Sequence, residues 1–226
     1  MMEDKERGRV RSLAVFGGTF NPIHNGHVHL ARRFAEILNA ERVLLIPTFR
    51  PPHKRADDLA GISDRLAMCR LASKGLPFEV SDLEIRRGGR SYTSDTLREL
   101  HGLYPNASLF LLMGEDMFLT LERWHDPAVI YSLATVCVAP RSGRNADRLS
   151  NGSRLSDGSR LQGGGRLQEY AAALRRKGVR VRVEPISYLP VSSTVVREAV
   201  RNGKSISGMV PEAVADYISE HHLYRE

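Results

Sequence analysis

Two histidines with a glycine between them, His24 and His27, follow a Gly-Gly turn near the start of the chain. Imidazole nitrogens can donate hydrogen bonds to a phosphoryl group while its charge rearranges, and Gly26 lets such a group approach closely. The apolar run 13–16 predicts a buried strand before the turn, and the apolar spacing over 28–38 predicts a helix after it. A strand, a glycine turn and a helix N-terminus bring backbone N–H groups up to a phosphate. The segment therefore predicts a nucleotide phosphate site.

Each part of this segment also has a simpler interpretation. A Gly-Gly turn is common, and most histidines are surface residues or satisfied core residues. The turn has neither the glycine spacing of the dinucleotide fingerprint nor the Gly-Lys-Ser/Thr of a P-loop. The full combination, placed directly after the first strand, favours a phosphate site of another kind.

A second phosphate-binding pattern lies near the other end of the chain, at Ser192, Ser193, Thr194 and Arg197. Ser192 or Ser193 is a good N-cap for a helix that begins there, and the free N–H groups and hydroxyls suit the β- and γ-phosphates of a triphosphate. Arg197, one turn into the helix, can reach the same anion with its planar guanidinium. A capped helix with a surface arginine is the simpler alternative for this motif alone.

Composition limits the class of protein. The 226 residues are 42% hydrophobic and 26% charged, which suits one α/β domain over 1–226. A membrane-spanning helix needs about 20 apolar residues, and no apolar run in the sequence is nearly that long. The charged segment 1–12 is unlike a signal peptide, so a cytoplasmic protein is expected. Cys69 and Cys137 lie in apolar contexts that favour buried thiols over a disulfide or a metal site.

The net charge of +7 is concentrated in one segment. Six arginines and two aspartates between 141 and 168 account for four of the seven positive charges. The rest of the chain has the modest excess expected of a protein that binds phosphorylated small molecules, and no RNA-binding signature occurs, so nucleic acid is not the expected partner.

Apolar runs alternate with helical patterns along the chain, which predicts a Rossmann-like, doubly wound parallel sheet with helices on both faces in a single domain. The predicted strands are 13–16, 43–47, 78–85, 109–113, 135–139 and 179–183. The predicted helices are 27–38, 64–73, 94–103, 167–177, 194–201 and 211–221. Ligands bind such sheets at the carboxyl ends of the strands, where the strand order reverses.

One segment, 142–168, breaks the alternation. It holds a degenerate six-residue repeat over 151–156, 157–162 and 163–168, rich in Gly, Ser and Arg. This composition predicts a flexible insertion loop without a catalytic role, and a basic lid over the active site is the alternative.

The two motifs, together with the segments 51–54, 91–97, 113–116, 124–126 and 139–141, resemble those of bacterial nicotinate-nucleotide adenylyltransferases, and the resemblance extends from residue 13 to residue 224 apart from the insertion. It implies transfer of the AMP moiety of ATP to nicotinate mononucleotide, giving deamido-NAD and pyrophosphate, with Mg²⁺ arriving on ATP. It implies catalytic roles for His24, His27 and Arg197. The residues that it implies for ATP binding are Gly17, Gly18, Thr19, Phe20, Gly26, Asp116, Ser192, Ser193 and Thr194. Those that it implies for the acceptor nucleotide are Lys54, Thr93, Trp124 and Arg141.

Physical alternatives stand beside several of these roles. A pyridine ring needs an aromatic face, and Trp124 is the only tryptophan, but a half-buried packing role suits it equally. Asp116 could accept from ribose hydroxyls or cap a helix, and Thr93 could cap the helix that follows it. Asn21 stands where many relatives carry Asp, which removes any argument for a metal-binding carboxylate there.

Other functions also remain open at the level of sequence. A same-fold transferase acting on nicotinamide mononucleotide or pantetheine phosphate is one alternative, and a non-catalytic nucleotide- or RNA-binding protein is another. Intact His24, His27 and Arg197 disfavour the latter. The sequence leaves assembly into a homo-oligomer open.

Overall fold

The computed structural model describes residues 6–51, 59–141 and 164–225. Its strands are β1 (Ser12–Gly18), β2 (Arg42–Pro47), β3 (Phe78–Val80), β4 (Ser108–Gly114), β5 (Ala134–Ala139) and β6 (Val181–Val183). They form one sheet in the order β3-β2-β1-β4-β5-β6, and every neighbouring pair is parallel. The predicted Rossmann-like parallel sheet is confirmed.

Alternating side chains of the central strand enter two separate hydrophobic clusters. Leu13 and Val15 pack into one cluster, whereas Ala14 and Phe16 pack into the other. Successive side chains of a strand point to opposite faces, so both faces of β1 are buried and the sequence there is apolar without interruption. Helices therefore cover the sheet on both sides, as predicted.

The helices connect the strands in the expected alternation. They are α1 (Asn25–Leu38), α2 (Ile62–Ser73), α3 (Leu83–Arg87), α4 (Thr93–Leu103), α5 (Glu115–Phe118), α6 (Pro127–Leu133), α7 (Gly164–Arg176), α8 (Ser193–Arg201) and α9 (Glu212–Glu220), with a 3₁₀ turn at Leu121–Arg123. All six predicted helices occur. Helix α7 begins inside the predicted insertion, of which 142–163 lies outside the described residues.

One predicted strand is wrong in its second half. The apolar run 78–85 gives only the three residues of β3, and α3 then takes over. The backbone N–H of Leu83 donates to Ser81 Oγ at 3.3 Å. A serine that offers this local acceptor favours a turn over continued sheet pairing.

The strand order reverses between β1 and β4, and the carboxyl ends of these strands therefore flank the crevice in which such sheets bind ligands. A glycine lies at or next to the carboxyl end of each of these two strands. A Cβ atom added at Gly17 or Gly114 would meet no described atom within 4 Å, so the space beside each is open. Among the helices in the described ranges, none combines the length and apolar character needed to cross a bilayer.

Candidate active site

Two imidazoles cap the N-terminus of α1. His24 is the N-cap residue, and its Nδ1 accepts a hydrogen bond from the backbone N–H of His27 at 3.3 Å. His27 Nδ1 accepts in return from the backbone N–H of His24 at 3.2 Å. This is a capping box in which histidines replace the usual hydroxyl and carboxylate residues. The two rings stack with centroids 3.6 Å apart.

The capping box fixes the tautomer of both rings. A nitrogen that accepts a hydrogen bond carries no proton, so the proton of each neutral imidazole lies on Nε2. Each ring therefore has its donor N–H at Nε2. The pair is arranged to stabilise negative charge by hydrogen bonding.

Burial keeps His24 neutral. Its side chain is 7% exposed, and desolvation lowers its pKa from 6.5 to about 4, against the opposing effect of its backbone hydrogen bond. A neutral ring at physiological pH retains the lone pair on Nδ1 that the cap requires.

Aromatic packing positions the ring of His27. Phe20, which adopts a positive φ of 47°, folds under the turn and meets the His27 ring edge-on with centroids 5.1 Å apart. The Phe20 ring lies so close to Gly18 that a Cβ atom there would come within 2.9 Å of it. Gly18 is therefore needed to make room for Phe20, which is a packing requirement that the sequence did not reveal.

Gly26 is also restricted by packing. A Cβ atom at this position would lie 3.1 Å from the His24 ring and 3.1 Å from Val191 Cγ1. Gly26 thus allows the residues just before α8 to approach α1.

The second motif lies directly against the first. Ser192 caps α8 by accepting from the backbone N–H of Val195 at 3.3 Å. Ser193 Oγ donates to the Pro22 carbonyl at 2.9 Å, and Arg197 Nη1 donates to the Asn21 carbonyl at 2.9 Å. Thr194 is exposed in the first turn of α8. The structure therefore joins the two phosphate-binding patterns across 171 and 176 residues of sequence.

Asn21 is a buried junction beneath this pair of motifs. Its Oδ1 accepts from the backbone N–H of Ala60 and from the Tyr224 hydroxyl, each at 2.9 Å. Two donors already occupy this oxygen, so the Asn21 side chain has a structural role. No local pattern in the sequence predicts that Tyr224 reaches this position.

Asp116 and Arg141 meet at the carboxyl ends of β4 and β5. Arg141 Nη1 donates to Asp116, while the Arg141 backbone N–H donates to Glu115 Oε2 at 2.8 Å. The Arg141 guanidinium also lies 5.8 Å from the centroid of the Tyr188 ring. This pair is open to solvent, since the side chains of Arg141 and Asp116 are 57% and 62% exposed.

The two aromatic segments predicted for acceptor binding are also adjacent. Thr93 begins α4, and Trp124 follows the 3₁₀ turn, with its Nε1 donating to Thr120 Oγ1 at 3.3 Å. Tyr92 stacks on His125 with ring centroids 4.1 Å apart, so the residue before Thr93 contacts the residue after Trp124. Thr93 and Trp124 are both half-buried. Lys54 lies outside the described residues.

The fold and these paired motifs define a nucleotidyltransferase of the Rossmann-like class. A model of the cytidylyltransferase-like family matches residues 15–199, and the chain belongs to that family. A relative from Citrifermentans bemidjiense is 38% identical over 94% of this chain and 97% of its own length, and one from Geotalea daltonii is 36% identical over 95% and 98%. Both bear the name nicotinate-nucleotide adenylyltransferase. Within the wider family, the chain belongs to the nicotinate-nucleotide adenylyltransferases.

Solved structures agree on the fold. The nicotinic acid mononucleotide adenylyltransferase of Plasmodium falciparum, in complex with NaAD, has a TM-score of 0.70 at 15% identity and covers 95% of this chain and 97% of its own. At that identity the likeness concerns the fold alone.

Proposed function

We propose that this protein transfers the adenylyl group of ATP to nicotinate mononucleotide. A phosphate oxygen of the mononucleotide attacks the α-phosphorus of ATP, the bond from that phosphorus to the β-phosphate oxygen breaks, and deamido-NAD and pyrophosphate leave. A phosphate monoester is already a nucleophile near neutral pH, so the protein's task is positioning and charge stabilisation.

The observation that carries the proposal is the histidine capping box joined to α8. His24 and His27 each present an Nε2–H donor, and Arg197 is bonded to the same turn. We assign His24 and His27 to the phosphates, with His27 nearest the α-phosphate in the transition state. Arg197 and the N-terminal groups of α8 would hold the departing pyrophosphate, because a helix N-terminus and a guanidinium both favour an anion.

Further residues have proposed roles on either side of the reacting phosphate. The ATP side comprises Gly17, Gly18, Thr19, Phe20, Gly26, Asp116, Ser192, Ser193 and Thr194. The acceptor side comprises Lys54, Thr93, Trp124 and Arg141. Trp124 would offer its face to the pyridine ring, and Thr93 a hydroxyl to the nicotinate carboxylate.

The metal belongs with the substrate in this proposal. Mg²⁺ would enter bound to ATP, with phosphate oxygens and water as most of its ligands, and would neutralise charge on the phosphates. Asn21 Oδ1 is already occupied by two hydrogen-bond donors, which suits this assignment.

Product formation by the purified protein tests the proposal. Mg-ATP is supplied with nicotinate mononucleotide, nicotinamide mononucleotide or pantetheine phosphate in parallel, and products are separated by chromatography while pyrophosphate is measured. Deamido-NAD and pyrophosphate in equal amounts, formed much faster than any other product, are expected. A faster reaction with either other acceptor, or no product at all, would contradict the proposed substrate.

A further inference from the structure

A buried arginine lies beneath the proposed site. Arg65, near the start of α2, is 2% exposed and is the largest of the fully buried side chains in the described ranges. It shares the buried face of its helix with Met68, Cys69 and Ala72. An arginine is almost never fully buried unless its donors are satisfied, so its partners indicate its role.

The guanidinium of Arg65 donates to four main-chain carbonyls. Nε donates to Ala60 at 3.2 Å, Nη1 to Thr19 at 2.9 Å and Thr48 at 2.7 Å, and Nη2 to Phe49 at 3.2 Å. Burial lowers the pKa of Arg65, but an arginine starts from so high a value that it keeps its charge. All of these hydrogen bonds from the charged guanidinium are made to backbone carbonyls outside the helices and strands.

These carbonyls belong to two loops of the proposed site. Thr19 lies in the turn between β1 and α1. Thr48 and Phe49 directly follow β2, and Ala60 lies just before α2. Three of the four bonds thus hold the loop between β2 and α2, and one holds the phosphate-binding turn.

A further pair of bonds extends this support to α4. The Phe49 N–H donates to Ser91 Oγ at 2.9 Å, and the Ser91 N–H donates to the Arg50 carbonyl at 3.0 Å. Ser91 lies two residues before Thr93, where the acceptor's pyridine end is proposed to bind. The backbone that Arg65 holds is therefore connected by hydrogen bonds to the segment that carries Thr93, and Tyr92 in that segment stacks on His125 beside Trp124.

We propose that Arg65 is a positioning residue that holds the acceptor-binding loops in register with the phosphate-binding turn. This inference rests on the proposed function, and it assigns a role to a residue that touches neither substrate. The phosphate-binding turn has further anchors in the histidine cap and Arg197. The residues that flank the connection from β2 to α2 take three bonds from Arg65, beside one between Asn21 and Ala60 and one between Ser91 and Phe49. Loss of the guanidinium should therefore affect the acceptor more than ATP.

Steady-state kinetics of Arg65→Lys test this difference. Lysine keeps the charge but cannot reach four carbonyls with a planar fork. The KM for nicotinate mononucleotide should rise about tenfold, while the KM for ATP changes by less than about threefold. Ser91→Ala should shift the same ratio in the same direction by a smaller amount, and it remains informative if an Arg65 variant does not fold.

Cys69→Ala is the matched control, because Cys69 is buried on the same helix face and its substitution should lower Tm without moving either KM. Hydrogen exchange gives a readout that does not depend on turnover. The amides of Thr48, Phe49 and Ala60 should exchange faster in Arg65→Lys than in Cys69→Ala.

The outcomes separate this proposal from the proposed function. A variant that lowers Tm like Cys69→Ala but leaves the two KM values and the three amides unchanged would overturn the positioning role, as would equal increases in both KM values. Wild-type protein that makes no dinucleotide would contradict the proposed function, and the exchange data would still decide whether Arg65 holds these loops.

Discussion

The phosphate end and the acceptor end of the proposed site are built differently. At the phosphate end, buried and half-buried groups are bonded to one another: His24 with its near neighbour His27, and, over long sequence separations, Ser193 with Pro22 and Asn21 with Tyr224. At the acceptor end, Arg141 is exposed and forms an exposed ion pair with Asp116 of the ATP side, and within the described residues Thr93 and Trp124 have no buried partner network of that kind.

This difference indicates which end is organised before substrates bind. Donors that stabilise a transition state are most effective when they are already fixed and shielded from water. Exposed ion pairs contribute little to stability and can exchange partners at small cost. We therefore expect the phosphate end to determine turnover and the acceptor end to determine acceptor affinity, and four predictions test that division.

Replacing His27 with Ala should have the largest effect. Loss of one fixed donor to the transferred phosphoryl group should lower kcat about 100- to 1,000-fold, while the Kd for ATP changes by less than about threefold. Product formation gives the first value and calorimetric titration with ATP the second. His101→Ala, an exposed histidine on α4, serves as the control. Turnover near the wild-type value in His27→Ala would refute the assignment.

Acid should destabilise the protein through His24. Its pKa is about 4 in the folded protein and near 6.5 when exposed, so the unfolded chain binds the extra proton between these values. The unfolding free energy should therefore fall as pH drops from about 6.5 to about 4, by about 3 kcal/mol from this residue.

Denaturant unfolding of wild type and His24→Asn at several pH values measures this effect. Asparagine preserves an N-cap acceptor and does not titrate. Burial raises the pKa of Glu84, so protonation of Glu84 makes the unfolding free energy rise as the pH falls. Both proteins contain Glu84, so its contribution cancels when the unfolding free energy of His24→Asn is subtracted from that of the wild type. Parallel pH dependences in the two proteins would contradict the prediction.

Trp124→Ala should change acceptor affinity more than turnover. Loss of the aromatic face should raise the KM for nicotinate mononucleotide about tenfold, and Trp124→Phe, which retains a ring, should raise it by less than about threefold. Both KM values and Tm are measured together, because Trp124 also packs against the hydrophobic core. An unchanged KM with a lower Tm would mean that the side chain serves packing alone.

Arg141→Ala should have the smallest effect. Because the pair with Asp116 is exposed, its loss should leave Tm nearly unchanged and alter either KM by no more than about fivefold. Thermal unfolding and steady-state kinetics check both points. A loss of kcat comparable to that of His27→Ala would mean that the acceptor end is as rigidly required as the phosphate end.

Much of this arrangement was predictable because it depends on local patterns. Uninterrupted apolar runs predict buried parallel strands, and both phosphate-binding motifs lie at helix N-termini that their own residues cap. The sheet, its covering helices and the six longer helices follow from such patterns. The short α3, α5 and α6 were missed because few residues carry their signal.

The buried polar contacts were not predictable in the same way. Arg65, Met68, Cys69 and Ala72 follow the spacing of one helix face, so the position of Arg65 could have been noticed as a charged residue in an apolar row. The four carbonyls that accept from Arg65 could not be predicted, because every residue has a backbone carbonyl whatever its side chain. The hydrogen bond from Tyr224 to Asn21 spans 203 residues and has no local signature.

That last contact has a consequence for the order of events during synthesis. The turn that carries His24 and His27 is translated early, yet the hydroxyl that secures Asn21 lies 203 residues further along the chain. Closing so long a loop is entropically costly and slow compared with forming local helices. The nascent chain can therefore form its local helices before Tyr224 closes onto Asn21, so the support beneath the proposed phosphate end is among the late contacts to form.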